Sequence, residues 1–315
     1  MKKYFLFLVV AAIATTLSLT SCSQDDDVKV PADKGAVKFS SNITDLNPAL
    51  RAAGNSWDKD DAIGVYMLES ASTNVVNGME NIEYSTSTNG ANGTFTATDA
   101  VIYFPFNGDK VRFMSYYPYN EDVVTNGNLY PVNVAIQDPQ SKIDLLYAFN
   151  ESADFDNTNA NPIPLVFKHQ LTKVIINVKA GSGLTDADLQ TLTVHFSGLN
   201  TQADFGLFTG NLGTPGTIAN IVPVTTSTAD GYVVSYEAII LPMASAPLGS
   251  KIVFDLNEDE EIIESKIFTW SFNGDELKSS TKYTYNVTIN RTGVELSATI
   301  NDWTDGGQPS EIEAN

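Results

Sequence analysis

The chain has 315 residues, a mass of 34.1 kDa and a formal charge of −20, with 43% hydrophobic and 10% aromatic residues. That composition supports a folded core, and the acidic excess repels phosphate backbones, which excludes nucleic-acid binding driven by counterion release. The one cysteine excludes a disulfide framework, a cysteine zinc site and a thiol nucleophile in the folded body, because it lies at position 22, inside the first recognisable element.

That element is an export signal. Lys2 and Lys3 precede an apolar run from Tyr4 to Leu19, and Leu19-Thr20-Ser21-Cys22 follows in the order of a lipobox. The run is short of the roughly 20 residues that span a bilayer core, so residues 1–21 are predicted to be a cleaved signal peptide and Cys22 the lipidated first residue. Of the 315 residues this removes 21 and leaves 294, with Lys2 and Lys3 lost and the charge at −22. Such a length suits two domains. Residues 22–35, with Asp25, Asp26, Asp27 and Pro31, read as an acidic tether.

The first strand is predicted from Ala36, where Val37, Phe39, Ser41 and Ile43 alternate with Lys38, Ser40 and Asn42. Asn47-Pro48 and Gly54-Asn55 then mark an exposed crossing loop from Leu46 to Trp57 that carries Arg51. After the acidic patch Asp58, Asp60 and Asp61, the residues Ile63, Val65 and Met67 begin a second strand. Asn-Gly dipeptides at 77, 89, 92, 107, 126 and 273 predict hairpin turns, since those residues tolerate positive φ. Between and beyond them come Val111, Phe113, Ser115, then Val132, Val134, Ile136, and Val174, Ile176, Val178. Leu192, Val194, Phe196, the run Tyr232 to Ile240, and Ile252, Phe254, Leu256 continue the pattern. One short helix is predicted at Thr185 to Leu192, where Thr185 and Asp188 resemble the start of a capping box. With no repeat of 20 to 50 residues, the strand count fits an all-β chain of two antiparallel sandwiches, about seven strands each.

No constellation for chemistry emerges. His169 and His195 sit beside apolar strand residues and read as structural, and Gly181-Ser182-Gly183 lacks the spacing of a nucleophile elbow. Asp154, Asp156 and Thr158 open like a calcium loop, but Asn159 replaces the turn glycine and Leu165 stands where a bidentate Glu is needed. No catalytic, cofactor or metal residue is predicted, and no enzyme. Tyr116, Tyr117 and Tyr119 around Pro118 offer either a sugar-stacking platform or strand-end packing.

The phrases Trp57 with Asp60-Asp61-Ala62-Ile63-Gly64-Val65-Tyr66, Val111-Arg112-Phe113 with Tyr116-Tyr117-Pro118-Tyr119, and Asp144-Leu145-Leu146-Tyr147-Ala148 occur in that order. Phe167-Lys168-His169-Gln170-Leu171-Thr172-Lys173-Val174, Tyr283-Thr284-Tyr285-Asn286-Val287-Thr288 and Ile300-Asn301-Asp302-Trp303 complete the series. In this the sequence resembles the fimbrillin family of Bacteroidales, including its minor-fimbrium-like members. The Asp-rich run after Cys22 likewise resembles the surface-export signal of lipoproteins from such bacteria. The resemblance implies an outer-membrane lipoprotein precursor of two transthyretin-like β-sandwich domains in tandem, at residues 36–169 and 170–304, with a polar tail at 305–315. It implies a structural subunit, stalk or tip, of a cell-surface fimbria that supports adhesion.

In polymerising members of the family an Arg-directed protease releases the first strand, and a partner's terminal strand fills the vacated groove. Carried over here, the cut falls at Arg51-Ala52, which alone separates a removable first strand from the body of the domain; Arg112 lies in a strand pattern and Arg291 in a turn. The groove would be the one left by Val37, Phe39 and Ile43. The candidate donor is the last strand, where Val294, Leu296, Ala298 and Ile300 alternate with polar residues; the alternative reading of the same pattern is a fixed inner strand. The implied partners are other fimbrial subunits, the outer membrane through the lipid, and a host or bacterial surface ligand. The alternative is a non-polymerising surface lipoprotein that binds a glycan or host ligand.

Overall fold

A computed structural model describes residues 36–43, 56–256, 266–272 and 274–302, with backbone alone for 298–302. Cys22, Arg51 and Ala52, the tail and the turn at Asn273 lie outside the described residues.

The chain is all-β. Its first half contains β1 (Phe39–Ile43), β2 (Ala62–Glu69), β3 (Ile82–Thr86), β4 (Asn92–Ala97), β5 (Val111–Tyr117), β6 (Leu129–Asn133), β7 (Leu146–Phe149) and β8 (Ile163–His169). All but β6 close into a barrel in the order β1-β4-β3-β2-β5-β7-β8. Alternation explains the closure: Val37, Phe39, Ile63, Val65, Phe95, Phe113, Leu165 and Phe167 form one buried cluster. β2 is buried on both faces, so its remaining side chains Tyr66 and Leu68 join Met114 and Tyr116 of β5 in a second core.

That second core belongs mainly to β9 (Thr172–Ala180), β10 (Leu192–Ser197), β11 (Asn200–Gly206), β12 (Asn211–Leu212), β13 (Gly216–Ile218), β14 (Val224–Thr226), β15 (Val234–Ile240), β16 (Lys251–Leu256), β17 (Lys266–Ser271), β18 (Thr281–Asn290) and β19 (Gly293–Asp302). A five-stranded sheet runs β14-β15-β9-β18-β19 and a three-stranded one β10-β16-β17. β6 leaves the barrel and pairs with β11, whose other edge carries β12 and β13. The buried Gln137 amide completes the link: its Nε2 donates to the carbonyls of Val134 (2.7 Å) and Ile239 (2.8 Å), and its Oε1 accepts from the Ile239 N–H (2.7 Å). One side chain thereby acts as a strand neighbour for β15 beyond the point where β14 stops pairing.

Several expectations change. Two ladders, β1 with β8 and β9 with β18, run parallel, so the sheets are not wholly antiparallel. The strands that meet there are far apart in sequence, which no local turn signal reveals. The helix predicted at Thr185 to Leu192 is a single 3-10 turn, Ala187–Leu189, although the Thr185 N–H and hydroxyl do donate to Asp188 Oδ2 at 2.6 and 2.8 Å. Asn92-Gly93 is not a turn but opens β4. Ile136 lies beyond β6 and is 73% exposed, whereas Val132 and Val134 are buried. Trp57 ends no exposed loop: it is almost fully buried and bridges Gly90.

Candidate functional site

β1 occupies a slot between two strands. It pairs antiparallel with β4, from Phe39↔Phe95 to Asn42↔Asn92, and parallel with β8, from Phe39↔Ile163 to Ile43↔Phe167. Val37, Phe39, Ser41 and Ile43 point into the barrel and are at most 6% exposed. The Phe39 ring meets Tyr84 and Phe113 edge-on, with centroids 4.9 and 5.1 Å away. Tyr84 ties the strand's start, since its hydroxyl donates to the Val37 carbonyl (3.3 Å) and accepts from the Ile102 N–H (3.1 Å). Burial pushes that phenol up to about 12.

The slot narrows at Gly93, which faces Ser41 across the ladder. A Cβ at Gly93 would stand 2.5 Å from Phe95 Cε2 and 2.9 Å from both Ser41 Oγ and Trp57 Cδ1. The Trp57 indole fills that corner, edge-on to Phe95, Tyr117 and Phe167. Neither Ser41 Oγ nor Trp57 Nε1 finds a hydrogen-bond partner among the described residues. β1 therefore carries one buried polar atom that its surroundings do not satisfy. No periodicity marked Trp57 for this corner; its spacing from the β2 pattern was the only signal.

At the far end of the slot Ile43 borders a cleft of about 240 Å³, lined also by Trp57, Asp61, Tyr117, Asp144 and Lys173. Asp61 Oδ1 accepts from the Tyr117 hydroxyl at 2.9 Å, Asp144 Oδ1 lies 2.8 Å from His169 Nδ1, and Lys173 Nζ donates to Glu237 at 3.0 Å. Burial holds the Asp61 carboxyl above its ordinary value, against the pull of hydrogen bonds from Asp58 and Tyr117. Burial, and then the neighbouring Asp61, raises the Tyr117 phenol. The cleft acids Asp61, Asp144 and Glu237 thus each have a partner of their own, in Tyr117, His169 and Lys173. Tyr116 and Tyr117 are buried, Tyr116 donating to Asn81 Oδ1 at 2.7 Å, so of the two readings offered for these tyrosines strand-end packing holds, and Tyr119 alone of the three is partly exposed.

The arginines differ in environment. Arg112 donates to the carbonyls of Glu69 (3.4 Å), Glu151 (3.0 Å) and Ser72 (2.9 Å) and lies over the Phe149 ring, tying the β2–β3 connection to the β7–β8 connection. Arg291 is exposed in the β18–β19 turn, its N–H donating to the Ser182 carbonyl at 3.0 Å. Among the described residues β19 is an edge strand, paired over ten residues with β18 alone. Val294 and Leu296 are only partly buried against the second core; Ala298 and Ile300 are aligned with Tyr285 and Tyr283 through the backbone ladder.

The sequence profile of the fimbrillin-like family matches residues 51–303. A relative from Bacteroides uniformis, named "Putative fimbrium subunit Fim1C", is 35% identical over 99% of this chain and 98% of its own length. Among solved structures, a "putative cell adhesion protein" from Bacteroides uniformis is 35% identical, covers 85% of this chain and 98% of its own, and superposes with a TM-score of 0.68. A second, from Bacteroides ovatus, has a TM-score of 0.65 at 20% identity, covers 86% and 98%, and shares the fold.

Proposed function

Because this chain belongs to the fimbrillin-like family, we propose that it is a structural subunit of a cell-surface fimbria that assembles with other subunits by strand exchange. In this reading the precursor leaves the cell as a lipoprotein, anchored to the outer membrane through Cys22. Its body comprises two transthyretin-like domains, 36–169 and 170–304. Proteolysis at Arg51-Ala52 frees β1, and the last strand of a neighbour replaces it, giving a filament that supports adhesion.

The observation that carries the proposal is the seat of β1. It is held on both edges, buries Val37, Phe39 and Ile43, and is joined to β2 only through the stretch that contains Arg51. Withdrawing three such side chains uncovers roughly 5 to 9 kcal/mol of burial, at about 1.5 to 3 kcal/mol each. A slot of that depth, flanked by two unpaired ladders, favours β-augmentation. Arg112, in β5, has its guanidinium occupied by three carbonyls.

The test is the N-terminal residue of the protein recovered from the cell surface. Ala52 is expected in assembled material, and Arg51→Gln should leave only chains that begin at Cys22 and form no filaments. Filaments built from chains that retain residues 22–51 would overturn the processing step.

A further inference from the structure

The sequences of Val37–Ile43, which ends in β1, and of Val294–Ile300 in β19 are similar, residue for residue. Val37-Lys38-Phe39-Ser40-Ser41-Asn42-Ile43 aligns with Val294-Glu295-Leu296-Ser297-Ala298-Thr299-Ile300, with identical Val, Ser and Ile and close replacements of Phe by Leu and Ser by Ala. The two differ most at Lys38 and Glu295, on the opposite face from the row Val37, Phe39, Ser41 and Ile43.

Other strands share part of this row. β5 offers Val111, Phe113 and Ser115, but it is clasped on both edges by β2 and β7 and has no free edge. β10 offers Val194 and Phe196, but the third place of the row falls on Gly198, where φ is 79° and the strand has ended. Among the described strands, β19 combines the whole row with an edge position.

The third place in the row is the restrictive one. In β1 it is Ser41, packed against Gly93 and the Trp57 corner, where even a methyl on Gly93 finds no room. A strand seated there must present a small side chain between larger ones. β19 does so with Ala298, flanked by Leu296 and Ile300. A slip of two residues either way would drive Leu or Ile into the notch and overpack it. Alanine also lacks the hydroxyl for which Ser41 finds no partner among the described residues.

We propose that Gly293–Asp302 of a second copy of this chain enters the β1 slot in one register, Val294, Leu296, Ala298 and Ile300 replacing Val37, Phe39, Ser41 and Ile43, with Ala298 in the Gly93 notch fixing it. This rests on the strand-exchange reading above and names its partner and its specificity-determining contact. The incoming strand runs antiparallel to β4 and parallel to β8, and Ser297 falls opposite Thr94, as Ser40 does now.

The register can be read by cross-linking. Thr94 and Thr96 are both exposed on β4, and directly opposed strand residues lie within disulfide reach. A precursor carrying Arg291→Gln, Thr94→Cys and Ser297→Cys is cut with trypsin, oxidised mildly and run on a non-reducing gel beside one carrying Arg291→Gln, Thr96→Cys and Ser297→Cys, the Arg291→Gln change sparing the exposed turn before β19. The only natural cysteine, Cys22, leaves with the released segment. The 94/297 pair is expected to give a ladder of linked chains at least tenfold stronger than the 96/297 pair. Equal or stronger linking by 96/297, or filaments of the chain carrying Arg291→Gln alone with neither pair linked, overturns the register while strand exchange stands. No filaments by electron microscopy from the cleaved chain carrying Arg291→Gln alone would instead remove the exchange reading and this register with it.

Discussion

At the scale of single residues, Ser41 and Gly93 pull in opposite directions. The Ser41 hydroxyl is buried without a partner among the described residues, so Ser41→Ala should stabilise the uncleaved precursor by about 1 kcal/mol. Gly93→Ala places a methyl against Phe95, Ser41 and Trp57 and should cost about 1 to 3 kcal/mol. Urea unfolding of both variants measures this, and a neutral Gly93→Ala would mean that the corner relaxes freely. Asp61 supplies a pH-dependent case. Its folded carboxyl is raised above 3.8 by burial, so its contribution is complete while it is protonated and is lost as pH climbs through the folded value. Asp61→Asn keeps an acceptor for Tyr117 without the charge. The variant should match the wild type at pH 3 and exceed it in stability at pH 7; lower stability at pH 7 would show that the hydrogen bonds outweigh burial.

At the scale of elements, the exchange reading separates β1 from β19 by what a charge does to each. Leu296 is only partly buried on an edge strand, so Leu296→Asp should leave the uncleaved chain folded, at a cost of about 1 to 2 kcal/mol, and abolish filaments after cleavage. Thermal melting of the intact variant and electron microscopy of the cut one decide it, and loss of the folding transition would identify β19 as a fixed inner strand. The element scale is also where the sequence was most readable. β1 follows from alternation alone, because a strand with one buried face must repeat every two residues, whereas in β2 and β5 alternation marks only one of two buried faces. What alternation cannot carry is partnership. Asn92-Gly93 has the local chemistry of a turn, yet its glycine is required by Trp57, a tertiary neighbour more than thirty residues away. The parallel seating of β1 on β8 and the passage of β6 to β11 are likewise contacts between distant segments. Tyr116 and Tyr117 had the composition of a binding platform, and it is the second core and the barrel interior that bury them.

At the scale of the molecule, buried phenols should govern alkaline stability. Tyr66, Tyr116, Tyr117, Tyr130, Tyr147 and Tyr285 are all raised chiefly by burial, and Tyr84 reaches about 12. A phenol whose folded value is raised stabilises the native state fully below its ordinary value near 10, and that contribution disappears as pH rises through the folded value. Unfolding should therefore set in steeply between pH 10 and 12, with tyrosinate absorbance rising together with the loss of circular dichroism. Full ionisation at pH 10 with the fold intact would contradict the burial of these rings. The two-sided seat of β1 has a further, mechanical consequence. Its ladders to β4 and β8 lie across the strand, so tension along the strand strains their hydrogen bonds side by side, not one after another as in peeling. Whatever strand fills that seat is gripped in shear. Beyond the barrel, the pairing of β6 with β11 and the Gln137 amide on β15 give such a load a path into the sheets of the second half.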